Sequence, residues 1–389
     1  MFRKYRRKDY NFRLVFWVLA LSALGILLVG SAQSSLMLRQ LFGVLLGAAC
    51  MLFVSFVDYS WILRFSKAIY ALSLLLLVAV RLAGDSSKGA TRWISIGSGS
   101  TGIRFQPVEL CKILLIIFFA AHFMAHEHEL NKPVFFLRTM LLILIPLFLV
   151  FIQPDLKNTL TIAMVFVALY FAAGLSYKVI VPSIIAVLIA GFAVIGIVSS
   201  PDQNLLEDYQ RKRIMNFLDP DNPDYNDGNL QQNNSVTAIG SGMLTGKGLN
   251  NSDFSSANKG NFISEIQNDF IFAVAGEELG FMGSAGIVLL LLLIELECIR
   301  MGRRAKDIAG KILCCGVAAV IAIQSFINIG VATRLLPNTG TPLPFVSYGM
   351  TSLVSLFIGI GLVLNVGLQS RIRPYANPYS TGRRREDAA

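Results

Sequence analysis

Acidic residues around one predicted membrane boundary are the strongest chemical signal in the chain. Asp269 stands at the start of a long apolar stretch, four residues after Glu265 and shortly before Glu277 and Glu278. A carboxylate costs roughly 2.5–3.5 kcal/mol at the centre of a membrane helix, so a chain that keeps one there usually needs its chemistry. Asp269 is therefore the leading catalytic candidate. The alternative is a helix N-cap, in which the side chain of Asp269 accepts hydrogen bonds from free backbone N–H groups.

Opposite charges stand three residues apart where another apolar run begins. Glu109 and Lys112 face the same way on a helix, so they can neutralise each other. They are either a structural pair that fixes the position of the helix or the wall of a polar cavity that contacts an anionic headgroup. Arg92 and Trp93 lie in the preceding segment, where interfacial anchoring is the alternative to substrate binding.

Other polar residues could contact phosphate. Gln210 and Arg213 lie in a long polar segment, where the guanidinium could form a fork onto phosphate oxygens. Lys247 belongs to a glycine-rich run, Gly242–Gly248, that resembles a phosphate loop but is one residue short and lacks the Ser or Thr that would hold magnesium. We interpret this run as a turn whose backbone N–H groups and Lys247 could bind a diphosphate.

Two further patterns carry less weight. Gly97–Gly102 matches the dinucleotide fingerprint by letter, but no strand-then-helix unit surrounds it, so we interpret it as a flexible turn. His122 and His126 stand four residues apart and could share a metal ion on a helix. A solvated helix terminus also explains them, and we predict no metal site.

The composition indicates which elements must position these residues. The 389 residues are 54% hydrophobic and 15% charged, with a mean hydropathy of +0.61. These values indicate a polytopic membrane protein rather than a soluble one. Much of the net charge of +10 lies in three clusters beside apolar runs, Arg3–Lys8, Arg300–Lys306 and Arg383–Arg385. Such clusters are typical of cytoplasmic anchors, not of nucleic-acid binding.

Ten apolar runs are long enough, or nearly so, to span a bilayer as helices. They cover residues 12–31, 39–57, 66–82, 108–125, 136–152, 159–174, 179–199, 270–298, 309–333 and 348–368. An even number of spans places both termini and all three basic clusters on the cytoplasmic side. We therefore predict an all-α polytopic membrane protein of about ten transmembrane helices.

The chain is predicted to form a single domain, residues 1–389, with two distinct polar segments. Residues 200–268 form a large extracytoplasmic loop between the seventh and eighth spans, which is too polar to bury a core of its own and should lie across the mouth of the bundle. Residues 369–389 form a basic cytoplasmic tail. Prolines in the stretch 335–345 predict irregular backbone, which at membrane depth must face protein or water.

A set of motifs occurs in order along nearly the whole chain. They are Thr91-Arg-Trp-Ile, Phe105-Gln-Pro-Val-Glu109-Leu-Cys-Lys112, Gln153-Pro-Asp155-Leu, Tyr209-Gln210 with Arg213-Ile, Ala238-Ile-Gly-Ser-Gly242 with Gly246-Lys-Gly248, Asp269-Phe-Ile-Phe-Ala-Val-Ala-Gly-Glu277-Glu-Leu-Gly280, and Asn328 with Pro337-Asn-Thr-Gly340-Thr-Pro-Leu-Pro344-Phe-Val-Ser347-Tyr-Gly349. This ordered set resembles the SEDS family (shape, elongation, division and sporulation), whose members include RodA, FtsW and SpoVE.

The resemblance implies a peptidoglycan glycosyltransferase in the bacterial inner (cytoplasmic) membrane that polymerises lipid II and works with a class B penicillin-binding protein. In the implied reaction, the 4-hydroxyl of one lipid-linked disaccharide attacks the anomeric carbon of another chain and expels undecaprenyl diphosphate with inversion. Such a reaction needs a general base near the acceptor hydroxyl and cations that hold the leaving diphosphate.

The same resemblance implies roles for the candidate residues. Asp269 matches the family's essential aspartate, and we assign the general base to it. Partial desolvation at the membrane edge should strengthen this base, provided that no cation lies nearby. Glu109 and Lys112 match the charged pair of the family's central cavity. The predicted substrate-binding set is Glu109, Lys112, Arg92, Trp93, Gln210, Arg213, Lys247 and Ser347, in which Arg92, Arg213 and Lys247 are the candidates for the diphosphate.

Two rival functions stay open on the sequence. A polar cavity with Glu109 and Lys112 would also suit a lipid II flippase, and a catalytically silent scaffold for a class B penicillin-binding protein is the other alternative. A divalent cation, Mg or Mn, could share the diphosphate, although the sequence shows no dedicated ligand set. The expected partners are lipid II, the transpeptidase and membrane lipids, with no nucleic acid.

Overall fold

The computed structural model describes residues 10–87, 90–96, 103–174, 215, 226–250 and 263–370, and most of them are helical. The longer helices of this part of the chain are α1 (Phe12–Ala32), α2 (Ser34–Phe56), α3 (Tyr59–Arg64), α4 (Ser66–Ala83), α5 (Pro107–Ala125), α6 (Pro133–Ile152), α7 (Leu156–Ala173), α8 (Asn226–Ser241), α9 (Ile271–Arg303), α10 (Ile308–Ala332) and α11 (Met350–Ser370). A single 3₁₀ turn, Glu127–Glu129, joins α5 to α6.

Eight of the described helices are long and apolar enough to cross a membrane, namely α1, α2, α5, α6, α7, α9, α10 and α11. Each overlaps one of the predicted runs. Helix α4 coincides with the predicted run 66–82, and the remaining run, 179–199, lies outside the described residues. The prediction of an all-α polytopic membrane protein is confirmed.

The segment before α5 is partly folded rather than loop throughout. Strands β1 (Asp85–Ser87), β2 (Ala90–Ile96) and β3 (Ile103–Phe105) form a small antiparallel sheet in which β2 is central. This sheet places Arg92 and Trp93 on an ordered strand directly before the helix that carries Glu109. The glycine-rich run 97–102 lies outside the described residues.

The core is built around three central helices. About 70–80% of the apolar window of α5, α10 and α11 is buried, against 28% for α2 and α6, which present most of their Leu and Phe side chains outward. An outer face of this composition suits lipid, where apolar side chains need no protein cover. The charged pair on α5 therefore lies in the interior of the bundle.

Side chains with an oxygen acceptor fix where several helices begin. Asn11, Asp58, Asp155 and Asp307 occupy the N-cap positions of α1, α3, α7 and α10, and each accepts a backbone N–H of the first turn. Caps of this kind satisfy N–H groups that have no partner inside the helix, and each is worth about 1 kcal/mol. They set the register in which each span enters the bundle.

Polar contacts join the helix ends on the side predicted to be cytoplasmic. The hydroxyl of Tyr59 donates to Asp307 Oδ2 at 2.9 Å, and Gln369 Nε2 donates to Asp58 Oδ1 at 2.7 Å. Burial opposes the ionisation of Asp58, but hydrogen bonds from Gln369 and the nearby charge of Lys306 hold the pKa of this carboxyl below its usual range. These contacts join α3, α10 and α11 at one end of the bundle.

Candidate active site

Asp269 lies in a turn, residues 263–269, directly before α9. Asp269 does not occupy the N-cap position of this helix, because α9 begins at Ile271 and its N-cap residue is Phe270. The carboxylate lies instead against Gly340, since a methyl group placed on that glycine would be 3.0 Å from Asp269 Oδ2. Asp269 is partly exposed.

The segment that faces Asp269 is the irregular stretch between α10 and α11. It has no helix between Ala332 and Met350, as its prolines predict, and Gly340 has a φ of 75°. Thr341 and Phe345 are 4% and 1% exposed, so this non-helical backbone is packed against protein. Buried irregular backbone is the form that is tolerated at membrane depth.

Two side-chain amide and hydroxyl groups hold the Asp269 turn against this stretch. Asn328 Nδ2 donates to the carbonyls of Asp269, at 2.8 Å, and of Thr341, at 2.7 Å. Ser347 Oγ donates to Asn268 O at 2.6 Å and accepts from Leu343 N at 2.7 Å. The backbone on both sides of the carboxylate is therefore fixed before any substrate arrives, which favours catalysis by a preorganised base.

Lys157, in the first turn of α7, brings a cation to the same place. Its Nζ donates to the carbonyl of Gly340, and the methyl group placed on Gly340 would be 3.7 Å from this nitrogen. Lys157 also interacts electrostatically with Glu109. The condition for a strengthened Asp269, that no cation lies nearby, is therefore not met in this structure.

Glu109 and Lys112 form the predicted ion pair. Lys112 Nζ donates to Glu109 Oε1 at 2.8 Å, and the two side chains are 2% and 4% exposed, respectively. Glu109 has further partners in the hydroxyl of Ser352 and the charge of Lys157. Lys112 also lines a small pocket whose other lining residues are all apolar, namely Leu115, Ile116, Phe119, Ile143, Ile162, Val165, Phe166 and Leu169. The two charged groups therefore have different surroundings: Glu109 has other polar partners, whereas Lys112 lies beside apolar residues.

Arg92 connects the small sheet to the start of α7. Its guanidinium donates to the carbonyl of Pro154, and Nε lies 4.0 Å from Asp155 Oδ2. Asp155 is 1% exposed and caps α7, so Arg92 contacts the residue that sets the position of Lys157. Trp93 is partly exposed on the same strand. A direct contact of Arg92 or Trp93 with substrate stays a prediction.

Helix α9 is broken at Gly280, and the glycine-rich run 242–248 fills the break. Gly280 has φ 66° and ψ −163°, which interrupts the helical hydrogen bonds on both sides. The N–H groups of Phe281 and Met282 donate to carbonyls of residues 243 and 244, while N–H groups of residues 247 and 248 donate to carbonyls of residues 277 and 278. A methyl group on Gly246 would lie 2.2 Å from the Glu278 carbonyl, so only glycine permits this approach.

This arrangement corrects the phosphate-binding interpretation of the run. The backbone N–H groups of Gly246, Lys247 and Gly248 already donate within the protein, so they do not form a free anion-binding turn. The ammonium of Lys247 pairs with Glu277 Oε1 at 2.8 Å, and that carboxylate is 1% exposed. Lys247 thus has a structural partner, and its contact with a diphosphate stays a prediction.

The structure describes both histidines that the sequence analysis considered as metal ligands, His122 and His126. His122 Nε2 lies 3.0 Å from Thr139 Oγ1, and His126 Nδ1 lies 3.0 Å from the carbonyl of His122. Both histidines therefore have partners within the end of the bundle. Gln210 and Arg213 lie outside the described residues.

Comparison with known proteins places this site in a family. The model of the FtsW/RodA/SpoVE family, described as cell cycle protein, matches residues 11–372. The chain belongs to this family. It is 32% identical over 380 residues to the probable peptidoglycan glycosyltransferase FtsW of Geobacter metallireducens. This match covers 94% of this chain and 96% of that protein.

Two further matches agree with this membership. The chain is 32% identical over 353 residues to the peptidoglycan glycosyltransferase MrdB of Escherichia coli K12, covering 90% of each protein. Among solved structures, it matches a chain from work on "structural coordination of polymerization and crosslinking by a peptidoglycan synthase complex" with a TM-score of 0.74 and 26% identity, over 93% of this chain and 99% of that one. The fold of this FtsW/RodA/SpoVE chain is thus that of a helical membrane protein with a solved relative.

Three residues of the site in this FtsW/RodA/SpoVE chain had no assigned role in the sequence prediction. Lys157 and Gly340 meet across 183 residues of sequence, a contact that no local pattern reveals. Asn328 offered a usable signal, because a fully buried amide in the apolar run Ile308–Ala332 needs hydrogen-bond partners. The amide of Asn328 donates to the carbonyls of Asp269 and Thr341, and so holds the Asp269 turn against the irregular stretch.

Proposed function

We propose that this protein is a peptidoglycan glycosyltransferase that polymerises lipid II outside the cytoplasmic membrane, with Asp269 as its general base. The observation that carries the assignment is the setting of Asp269. It is a partly exposed carboxylate at the end of a bundle, held by Asn328 and the Ser347 network against a buried irregular segment. The names of the relatives FtsW and MrdB support the same activity.

The proposed reaction is a single displacement with inversion. Asp269 takes the proton of the acceptor 4-hydroxyl as its oxygen attacks the anomeric carbon of the donor chain. A glycosidic C–O bond forms, the bond from that carbon to the diphosphate breaks, and the electron pair leaves with undecaprenyl diphosphate. A positioned base contributes about 10²–10⁴-fold to such a step.

The leaving diphosphate requires positive charge on the same side of the membrane. Arg92, Arg213 and Lys247 are the proposed contacts, and all three belong to segments predicted to be extracytoplasmic. Among the described residues, no three His, Cys, Asp or Glu side chains gather as a metal site.

The sidedness of the site follows from the distribution of basic residues. Arg300, Arg303, Arg304 and Lys306 lie at the end of the bundle that carries the Asp58 network, opposite to Asp269 along α9. The positive-inside rule then assigns that end to the cytoplasm and Asp269 to the outer face of the inner membrane. Both termini are proposed to be cytoplasmic, and residues 200–268 extracytoplasmic.

The proposed partner is a class B penicillin-binding protein. The solved relative comes from a peptidoglycan synthase complex in which polymerisation and crosslinking are coordinated, which supports a transpeptidase partner for this chain.

Purified protein, with and without a class B penicillin-binding protein, should be incubated with lipid II and the products separated by size. Glycan polymer longer than the disaccharide is the expected result, and the partner should increase its amount. Transfer of lipid II across vesicles without polymer would support a flippase instead. Absence of both polymer and transfer, in the presence of an active partner, would support the silent scaffold.

A further inference from the structure

The positively charged groups in the interior and on the outer side differ in how they are held. Lys112 is fully buried and paired with Glu109, Lys247 is paired with Glu277, and Arg92 lies 4.0 Å from the buried carboxylate of Asp155. Replacing those contacts by a ligand would leave a buried carboxylate without its cation, which is costly.

Lys157 is held more weakly than these groups. In the part of the chain that the structure describes, its ammonium forms no ion pair and donates to a neutral acceptor, the Gly340 carbonyl. The side chain is partly exposed, and the ammonium approaches the glycine against which the Asp269 carboxylate lies. Glu109 attracts it from the interior without closing a salt bridge. Lys157 is therefore partly exposed, and its ammonium lies beside the glycine that contacts the proposed base.

Exchanging the partner of this ammonium costs less than breaking an ion pair. A hydrogen bond to an ionised phosphate oxygen is roughly twice as strong as one to a neutral carbonyl. The exchange leaves the buried carbonyl of Gly340 without this donor, but it leaves no uncompensated charge. Lysine also suits this role because it acts on phosphate as a mobile point charge on a flexible stem.

We propose that Lys157 is a substrate-binding residue, whose ammonium exchanges the Gly340 carbonyl for a phosphate oxygen of the lipid-linked diphosphate beside Asp269. This inference rests on the proposed function, because it assumes a diphosphate ligand at the Asp269 end of the bundle. It adds to the cations predicted from the sequence one that lies beside the same glycine as the base.

The test uses the full-length protein in detergent micelles and undecaprenyl diphosphate as the probe, since this product cannot react alone. Lys157→Met should weaken binding roughly 10- to 100-fold, the loss expected for a hydrogen bond to a charged group. Lys157→Arg should restore binding to within about threefold of wild type, because the charge is kept. Lys132→Met, which removes an exposed lysine that pairs with Glu129 just before α6, should bind as wild type does.

A structural role for Lys157 gives a different result. Lys157→Gln keeps a donor for the Gly340 carbonyl but has no charge, so it should fold with wild-type thermal stability and still lose diphosphate binding. Undecaprenol, which has no phosphate, should bind wild type and Lys157→Gln equally. Unchanged diphosphate binding in Lys157→Gln, or an equal loss of undecaprenol binding, would overturn the proposal.

Polymerisation kinetics separate this inference from the proposed function. Lys157→Gln should raise KM for lipid II at least about tenfold, which is the kinetic form of a lost phosphate contact. Wild-type polymerisation together with an unchanged KM in Lys157→Gln would refute the role of Lys157 and leave the function intact. Failure of wild type itself to polymerise lipid II would refute the function, and the binding measurement would still decide the role of Lys157.

Discussion

Removing one charge of the buried Glu109–Lys112 pair should have a different effect depending on which charge remains. The pair is nearly inaccessible to solvent, with a 2.8 Å contact inside the bundle. Breaking a buried pair from one side typically costs about 3–5 kcal/mol, because the remaining charge has lost its compensation. The surroundings of each partner decide where in this range each variant falls.

Glu109→Gln leaves the ammonium of Lys112 without its carboxylate, beside a pocket that is otherwise lined by apolar residues. Within the described part of the chain Lys112 pairs with no second carboxylate, so we expect the full loss of about 3–5 kcal/mol in the free energy of unfolding. Lys112→Met leaves the Glu109 carboxylate with the Ser352 hydroxyl and the charge of Lys157. These contacts compensate part of the charge, and the expected loss is about 1–3 kcal/mol.

The double variant Glu109→Gln with Lys112→Met supplies the control. It removes both charges, so it should be more stable than Glu109→Gln alone, since apolar or neutral replacement of a buried pair is often tolerated. Exchanging the two residues is a poorer rescue, because an ammonium at position 109 would face that of Lys157. The charge reversal should therefore recover less stability than local neutrality alone predicts.

The measurement is equilibrium unfolding of the purified variants in mixed micelles, followed by the fluorescence of the three tryptophans. The expected order of stability is wild type, Lys112→Met, then Glu109→Gln, with the double variant above Glu109→Gln. If Lys112→Met is the less stable of the single variants, or the double variant is no better than Glu109→Gln, then the different surroundings of the two charges do not govern stability.

Three further outcomes follow from close backbone contacts and from sidedness. Gly340→Ala adds a methyl group 3.0 Å from the carboxylate of the proposed base, at a residue with a φ of 75°. Polymerisation by this variant should fall at least about tenfold. The control Gly286→Ala, whose methyl group meets nothing within 4 Å, should be active. Equal activity of these two variants would remove the close contact from the account. In Gly246→Ala, the added methyl group would lie 2.2 Å from the Glu278 carbonyl at the break in α9. This variant should melt at a lower temperature than the Gly286→Ala control. An unchanged melting temperature would contradict the role of this contact. In a cysteine-free background, an impermeant thiol reagent added to spheroplasts should label Thr245→Cys and spare His128→Cys, and the reverse pattern would invert the topology.

The lengths of the apolar runs predicted the membrane helices well, because length and hydrophobicity decide which segments can span a bilayer. Helix α1, for example, covers Phe12–Ala32 where the sequence predicts a span over 12–31. The irregular stretch between α10 and α11 was also predictable, since prolines remove N–H donors that a helix needs. In both cases the determining interactions are local in sequence.

Contacts between distant segments were not predictable in this way. The run Gly242–Gly248 resembles a phosphate loop by composition, but its N–H groups bond to carbonyls around the break in α9. The sequence shows Gly280 without showing that the helix is interrupted there, or that Gly246 approaches its backbone. The glycines serve a backbone–backbone contact, which has the same sequence signature as a close approach to phosphate.

In the candidate site, too, local features were predictable from the sequence and contacts between distant segments were not. Asp269 and the pair on α5 stood out because charges are rare beside apolar runs. Lys157 follows Asp155 closely and has the appearance of an ordinary residue in the first turn of a span. Its role became visible only when the fold brought Gly340 and the Asp269 carboxylate to it.

The central claim is that Asp269 is the base of a lipid II polymerase, and Asp269→Asn tests it most directly. Asparagine keeps the size of the side chain and can still form hydrogen bonds, but it is no useful base. With purified protein and its transpeptidase partner, wild type should form glycan polymer, and Asp269→Asn should be slower by about 10²–10⁴-fold while its melting temperature and partner binding stay unchanged. Polymerisation by Asp269→Asn at a rate near that of wild type would contradict the claim.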